Sequence, residues 1–248
     1  GYGYPGGGIG FPFIVPIFGF GGGGLFTILI FMAIAGFLVR AFRSATSDGV
    51  EYETASPTVS VNRLQVGLLS NARELQGDLN RIAEHANTAS SEGLAQVLQE
   101  TTLALLRHPE YWVYGGTQSQ QARLESAEAQ FNRLALAERS KFSEETLSNV
   151  NNLLRQAEAR KALQSSGDLM LPENPGEYIV VTLLVAAQGK LDLPTVNSDQ
   201  DLRQAISQIG SVSSDRLLAM EVLWTPQAEG DTLSAEDMLV EYPDLKLI

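Results

Sequence analysis

The chain has 248 residues, enough for one or two compact domains with appendages, and carries 29 acidic against 17 basic residues, a formal charge of −12. That balance repels phosphate backbones and argues against nucleic acid as a partner. There is no cysteine, which removes disulfides, thiol nucleophiles and cysteine-ligated metal, and two histidines, His85 and His108, leave little for metal or acid–base chemistry.

Residues 1–20 are glycine- and aromatic-rich and free of charge. The Gly-Tyr repeats at the front read as low-complexity, and the start at Gly1 rather than Met reads as a fragment or processed form. GFPFIVPIFGF follows, with Pro12 and Pro16 four residues apart. That spacing disfavours a regular helix, and irregular backbone is not tolerated deep in lipid, so this stretch reads as interfacial or protein-docked. Residues 25–39 (LFTILIFMAIAGFLV) are wholly uncharged. As a helix they span about 22 Å, and about 28 Å with the GGGG at 21–24, against roughly 30 Å of hydrocarbon. Residues 21–43 therefore read as one transmembrane helix with a basic flank. Leu25, Phe26, Ile28, Leu29, Ile30, Phe31, Phe37, Leu38 and Val39 meet lipid. Arg40 and Arg43 come after the apolar run, opposite to a secretory signal, and place the following domain on the cytoplasmic or stromal side.

Residues 44–57 are polar and form a linker to an acidic α+β domain over 58–248. Val59 and Val61 alternate, then Leu64, Val66 and Leu68 alternate after a slip of one, which predicts a strand with a bulge. Helical spacing follows over 71–87, and again from a cap at Ser90 or Ser91 to the His108-Pro109 stop. EYWVYGG (110–116) reads as a short aromatic strand or turn, residues 119–140 as helix, 143–163 as a further helix, and 164–177 as loop. YIVVTLLVAA and RLLAMEVLWTP read as buried strands separated by a helix over 199–209. That helical crossover favours parallel pairing, side by side or split by another strand between them, and hence a small mixed sheet. Ser234 with Asp237 signs the start of a last helix reaching Tyr242.

No Walker loop, Gly-x-Ser-x-Gly elbow or HExxH is present, so no catalytic residue, cofactor site or metal site is expected and the chain reads as non-enzymatic. His85 reads as a surface histidine and His108 as a helix-end residue. Asp231, Glu236, Asp237, Glu241 and Asp244 lack the spacing of a calcium loop and read as solvated or capping. Tyr111, Trp112, Tyr114 and Trp224 are candidates for a partner-binding surface, since aromatics anchor interfaces, but they serve equally as core anchors.

The run from EYIVVTLLVAAQGKLDLP to EVLWTPQAEGDTLSAEDMLVEYPDL resembles the family called domain of unknown function 1517, as do HPEYWVYGG and ERSKFSEETLSNVN upstream. The resemblance implies a thylakoid, plastid or cyanobacterial membrane setting and supplies no catalytic residues. Together with the residues above, it suggests a membrane-anchored interaction protein, an accessory or assembly factor for a photosynthetic membrane complex. Its expected partners are lipid and a membrane or membrane-associated protein, with self-association possible. The alternative is an oligomeric component of a transport path.

Overall fold

The computed structural model describes residues 57–87, 90–141, 178–226 and 232–248. The apolar run at 25–39, Arg40, Arg43, the linker up to residue 56, the expected helix over 143–163 and Asp231 lie outside the described residues. Among the described residues no helix is long and apolar enough to cross a membrane.

Five strands form one sheet: β1 (Thr58–Leu69), β2 (Trp112–Arg123), β3 (Tyr178–Gln188), β4 (Leu217–Thr225) and the two-residue β5 (Lys246–Leu247). Their spatial order is β4-β3-β1-β2-β5. The helices are α1 (Arg73–His85), α2 (Ser91–Arg107), α3 over residues 124–141, α4 (Asp199–Gly210) and α5 (Ala235–Glu241).

The slip in the β1 pattern has a different cause from the expected bulge. Strict alternation sends Val59 and Val61 to one face and Leu64, Val66 and Leu68 to the other, and both faces are covered. Val59 and Val61 pack with Ala127 and Phe131 of α3. Leu64, Val66 and Leu68 pack with Leu75, Leu94, Leu98, Leu202 and Ile206 of α1, α2 and α4. A strand buried on both sides has no polar face to alternate with. The irregularity lies further on, where Gly67 pairs with Tyr114 but Leu68 with Trp112.

The sheet is antiparallel throughout the described residues, not mixed, and β3 and β4 are antiparallel neighbours. The connection between them explains this. After β3 the chain turns at Gly189, which has φ +83°, and crosses β1 and β2 sideways. Ser60 Oγ accepts from Leu191 N–H at 2.8 Å, and Ser119 Oγ accepts from Leu193 N–H at 3.0 Å. Thr117 Oγ1 donates to the Pro194 carbonyl at 2.6 Å. α4 then starts at the N-cap Ser198 and returns over that face, and Arg216 Nε donates to the Gln188 carbonyl where β4 begins. The crossover leaves and re-enters at the same end of the sheet, so β4 runs back along β3.

Two further differences concern β2 and β5. Residues 117–123 (TQSQQAR) suit a helix by propensity, yet they continue β2, because their pairing with Thr58–Leu64 outweighs a weak local preference. Lys246–Leu247 adds a short strand that no pattern of its own announces. The remaining helix starts agree with the caps read from the chain. Ser90 Oγ accepts from Gly93 N–H at 3.0 Å, and Ser234 with Asp237 closes a reciprocal capping box.

Candidate functional site

The four aromatic candidates do not gather into one surface. Trp112 is 8% exposed and belongs to the main core, with Arg203 over its ring at 5.3 Å. Tyr111 and Trp224 are half-buried against the same core. Tyr114 lies on the opposite face, because the extra residue Val113 reverses the alternation between Trp112 and Tyr114. It packs edge-on against Tyr178, centroids 5.3 Å apart, beside Met238 and Tyr242. Gly67 makes this possible, since a Cβ there would stand 2.8 Å from Tyr114 Cβ. Burial, with the hydrogen bond to Tyr178, raises the Tyr114 phenol above its ordinary range.

The histidines sit at helix ends. His85 Nδ1 lies 2.8 Å from the Arg81 carbonyl at the end of α1. His108 ends α2, stacks on Tyr111 and lies 3.1 Å from Glu110 Oε1. The Glu110 carboxyl is held below its ordinary value by its own backbone hydrogen bond and then by His108. Among the described acidic residues, Asp237 caps α5 and Asp244 binds Arg63, and no group of three potential ligands is placed to hold a metal ion.

Among the described residues, the main concentration of ionisable chemistry is one the sequence pattern did not single out. It lies between the sheet and α3, where alternation carries Arg63, Gln65 and Glu221 onto the face that α3 covers. Glu138 of α3 is 3% exposed and accepts from Arg63 Nη1 at 3.0 Å, Gln65 Nε2 at 3.1 Å and Lys141 Nζ at 2.9 Å. Gln65 Nε2 also donates to Thr182 Oγ1 at 3.0 Å. Glu221, 1% exposed, is gripped by Arg139 through Nε and Nη2, both at 2.7 Å. Arg63 reaches out to Asp244 at 2.9 Å, and Lys141 sits 4.0 Å above the Tyr242 ring.

Burial raises the Glu221 carboxyl above its ordinary value, with the Arg139 guanidinium opposing and the charge of Glu138 adding to the rise. Two buried carboxylates on one face resemble an acid–base pair, but their partners say otherwise. Arg63, Arg139 and Lys141 balance Glu138, Glu221 and Asp244, and every carboxylate oxygen of Glu138 and Glu221 is already occupied. The arrangement fixes α3 to the sheet, with both carboxylates turned to their partners. A signal for it exists in the chain: Glu221 is the sole charge in LLAMEVLWT, and a charge inside an apolar strand needs a partner.

A separate open groove of about 600 Å³ runs between α2 and the end of α4. Glu92, Gln96, Gln99 and Glu100 line one wall and residues 210–214 the other. The helices approach closely at its base, where a Cβ on Gly210 would fall 2.3 Å from Thr102 Oγ1.

Comparison with known proteins places this domain. The family described as protein of unknown function (DUF1517) matches residues 58–248. "Protein FLAP1 homolog A" of Synechocystis sp. is 52% identical over 248 residues, covering 97% of this chain and 74% of that protein. "FLUCTUATING-LIGHT-ACCLIMATION protein 1, chloroplastic" of Arabidopsis thaliana is 44% identical over 239 residues, covering 94% of this chain. The chain thus spans only 59% of the length of the plant relative. No solved structure matches.

Proposed function

Since the chain belongs to the DUF1517 family, we propose that it is a non-enzymatic, membrane-anchored interaction protein that serves a photosynthetic membrane complex during acclimation to changing light. The names of its cyanobacterial and chloroplast relatives support the setting and the process. The uncharged run at 25–39 followed by Arg40 and Arg43 supports the anchor and favours the cytoplasmic or stromal side for the domain. The observation that carries the non-enzymatic reading is the fate of the buried charges: Glu138 and Glu221 are spent on Arg63, Arg139 and Lys141 in holding α3 to the sheet. Holding the domain at the membrane raises its local concentration near membrane partners, so a modest docking surface suffices. Of the four aromatic candidates, Tyr111, Tyr114 and Trp224 keep side-chain surface to offer a partner; Trp112 acts from the core.

The test is a tagged pull-down from gently solubilised native membranes, with a carbonate wash on a parallel sample. Retention through carbonate, together with a membrane protein recovered in stoichiometric amount, is the expected result. Release by carbonate would remove the anchor. A ring of this chain alone would favour a transport component instead.

A further inference from the structure

Among the described residues β2 forms an open margin of the sheet, with β5 covering only its first part. β5 shows which β2 backbone groups face outward. Ile248 N–H donates to the Val113 carbonyl at 3.0 Å, and Tyr114 with Leu247 and Gly115 with Lys246 continue the same antiparallel register. Backbone groups in an antiparallel ladder serve one neighbour and then the other at alternate residues. Gly115, Thr117, Ser119, Gln121 and Arg123 therefore turn their N–H and C=O groups away from β1. β5 meets only the first of these, and among the described residues the other four have no backbone partner on that side.

Among the described residues this margin is lightly defended, its one charge being Arg123 at the far end of β2. Open edges are normally blocked by lysine, proline, an inward charge or a bulge. Residues 112–122 (WVYGGTQSQQA) hold no charge and no proline, and the β2 bulge lies at the end already covered by β5. β5 demonstrates that the edge accepts an added antiparallel strand.

We propose that a second copy of the chain occupies this edge, β2 against β2, antiparallel about a two-fold axis at Gln120, giving one sheet continuous across both copies. Strands paired through the same edge must present facing residues to the same side, so the axis has to fall on a residue. With Gln120 on it, Ser119 faces Gln121, Thr117 faces Arg123 and Gln118 faces Ala122. No like charges are opposed, and all four outward residues gain backbone partners. The chain as a whole carries −12, so two copies repel over most approaches and meet with least opposition along a neutral strip. The α3 layers of both copies then lie on the same side of the joined sheet.

The absence of cysteine makes the test direct. Gln120→Cys in the full chain, in detergent, brings two sulfurs face to face across a non-hydrogen-bonded pair with Cα atoms about 4.5 Å apart, close enough for a disulfide. Under mild oxidation Q120C should link into dimers. Q118C alone should not, but Q118C mixed with A122C should. Gln120→Lys, which sets two like charges directly opposite each other on the axis, should weaken the wild-type dimer several-fold by light scattering. Q120C linking no faster than Ser207→Cys on exposed α4 would overturn the proposal, whether the wild type is a monomer or joins elsewhere. So would a Q120C adduct to a strand of another protein.

Discussion

Replacing Glu138 by Gln probes the sheet–α3 contact with almost no change of shape. The carboxylate takes three donors: Arg63 on one oxygen, Gln65 and Lys141 on the other. An amide has a single acceptor oxygen, so in either orientation its NH₂ faces a donor. The variant loses at least one hydrogen bond to a cation, about 1.5–3 kcal/mol, and leaves an excess positive charge under α3. Breaking a fully buried pair costs about 3–5 kcal/mol. Here Arg63 and Lys141 are 15% and 16% exposed and Arg63 keeps Asp244, so partial rehydration brings the expected loss to about 2–3 kcal/mol. For a domain of this size that is roughly 5–10 °C in melting temperature. Urea unfolding of the full chain in detergent measures it, and because the pairs are shielded from solvent, 1 M salt should leave most of the difference in place. A loss below about 0.5 kcal/mol, the range of an ordinary surface substitution, would refute the view that this cluster holds α3 in place.

Other expectations follow from single contacts. Burial raises the Glu221 carboxyl, so the folded state keeps a proton that the unfolded state has released; the stability this provides is complete below the ordinary value of 4.5 and is lost as pH rises through the raised folded value. Stability of Glu221→Gln relative to wild type should therefore improve as pH rises above 4.5, and urea midpoints moving the other way would contradict the assignment. Gly115→Ala puts a Cβ 2.8 Å from Val196 Cγ1 and 3.3 Å from Leu202 Cδ2, so overpacking against α4 should cost about 1–3 kcal/mol, read from a denaturation midpoint. Ser198→Ala removes the acceptor for Asp201 N–H at the start of α4, and the donor to the Asp201 carboxylate, and should cost about 1 kcal/mol, with Ser198→Thr restoring most of it.

Much of the domain is legible in the chain because local signals coincide with global ones. Ser90, Ser198 and Ser234 cap the helices where the apolar spacing begins, and YIVVTLLVAA is a near-continuous apolar run because β3 is buried on both faces. The failures have physical causes. The direction of β4 depends on the sideways path of residues 189–198, held by Ser60, Thr117 and Ser119, and such long-range clips leave no periodic trace. The course of β2 through TQSQQAR is decided by pairing with β1 rather than by its own residues. The aromatic set looks like a patch in sequence, but a single bulge at Val113 sends Trp112 and Tyr114 to opposite faces. The ionic cluster is scattered over β1, α3 and β4, and only the lone charges Arg63 and Glu221 within otherwise buried strands hint at it.

The most direct test of the anchored-docking account is chemical crosslinking in intact membranes, comparing the full chain with one lacking residues 21–39. The account predicts that the full chain crosslinks to one membrane protein in constant proportion and that the shortened chain, though folded, does not. The same crosslink formed equally well without residues 21–39 would contradict the tether, and a full chain that crosslinks to no other protein would contradict docking itself.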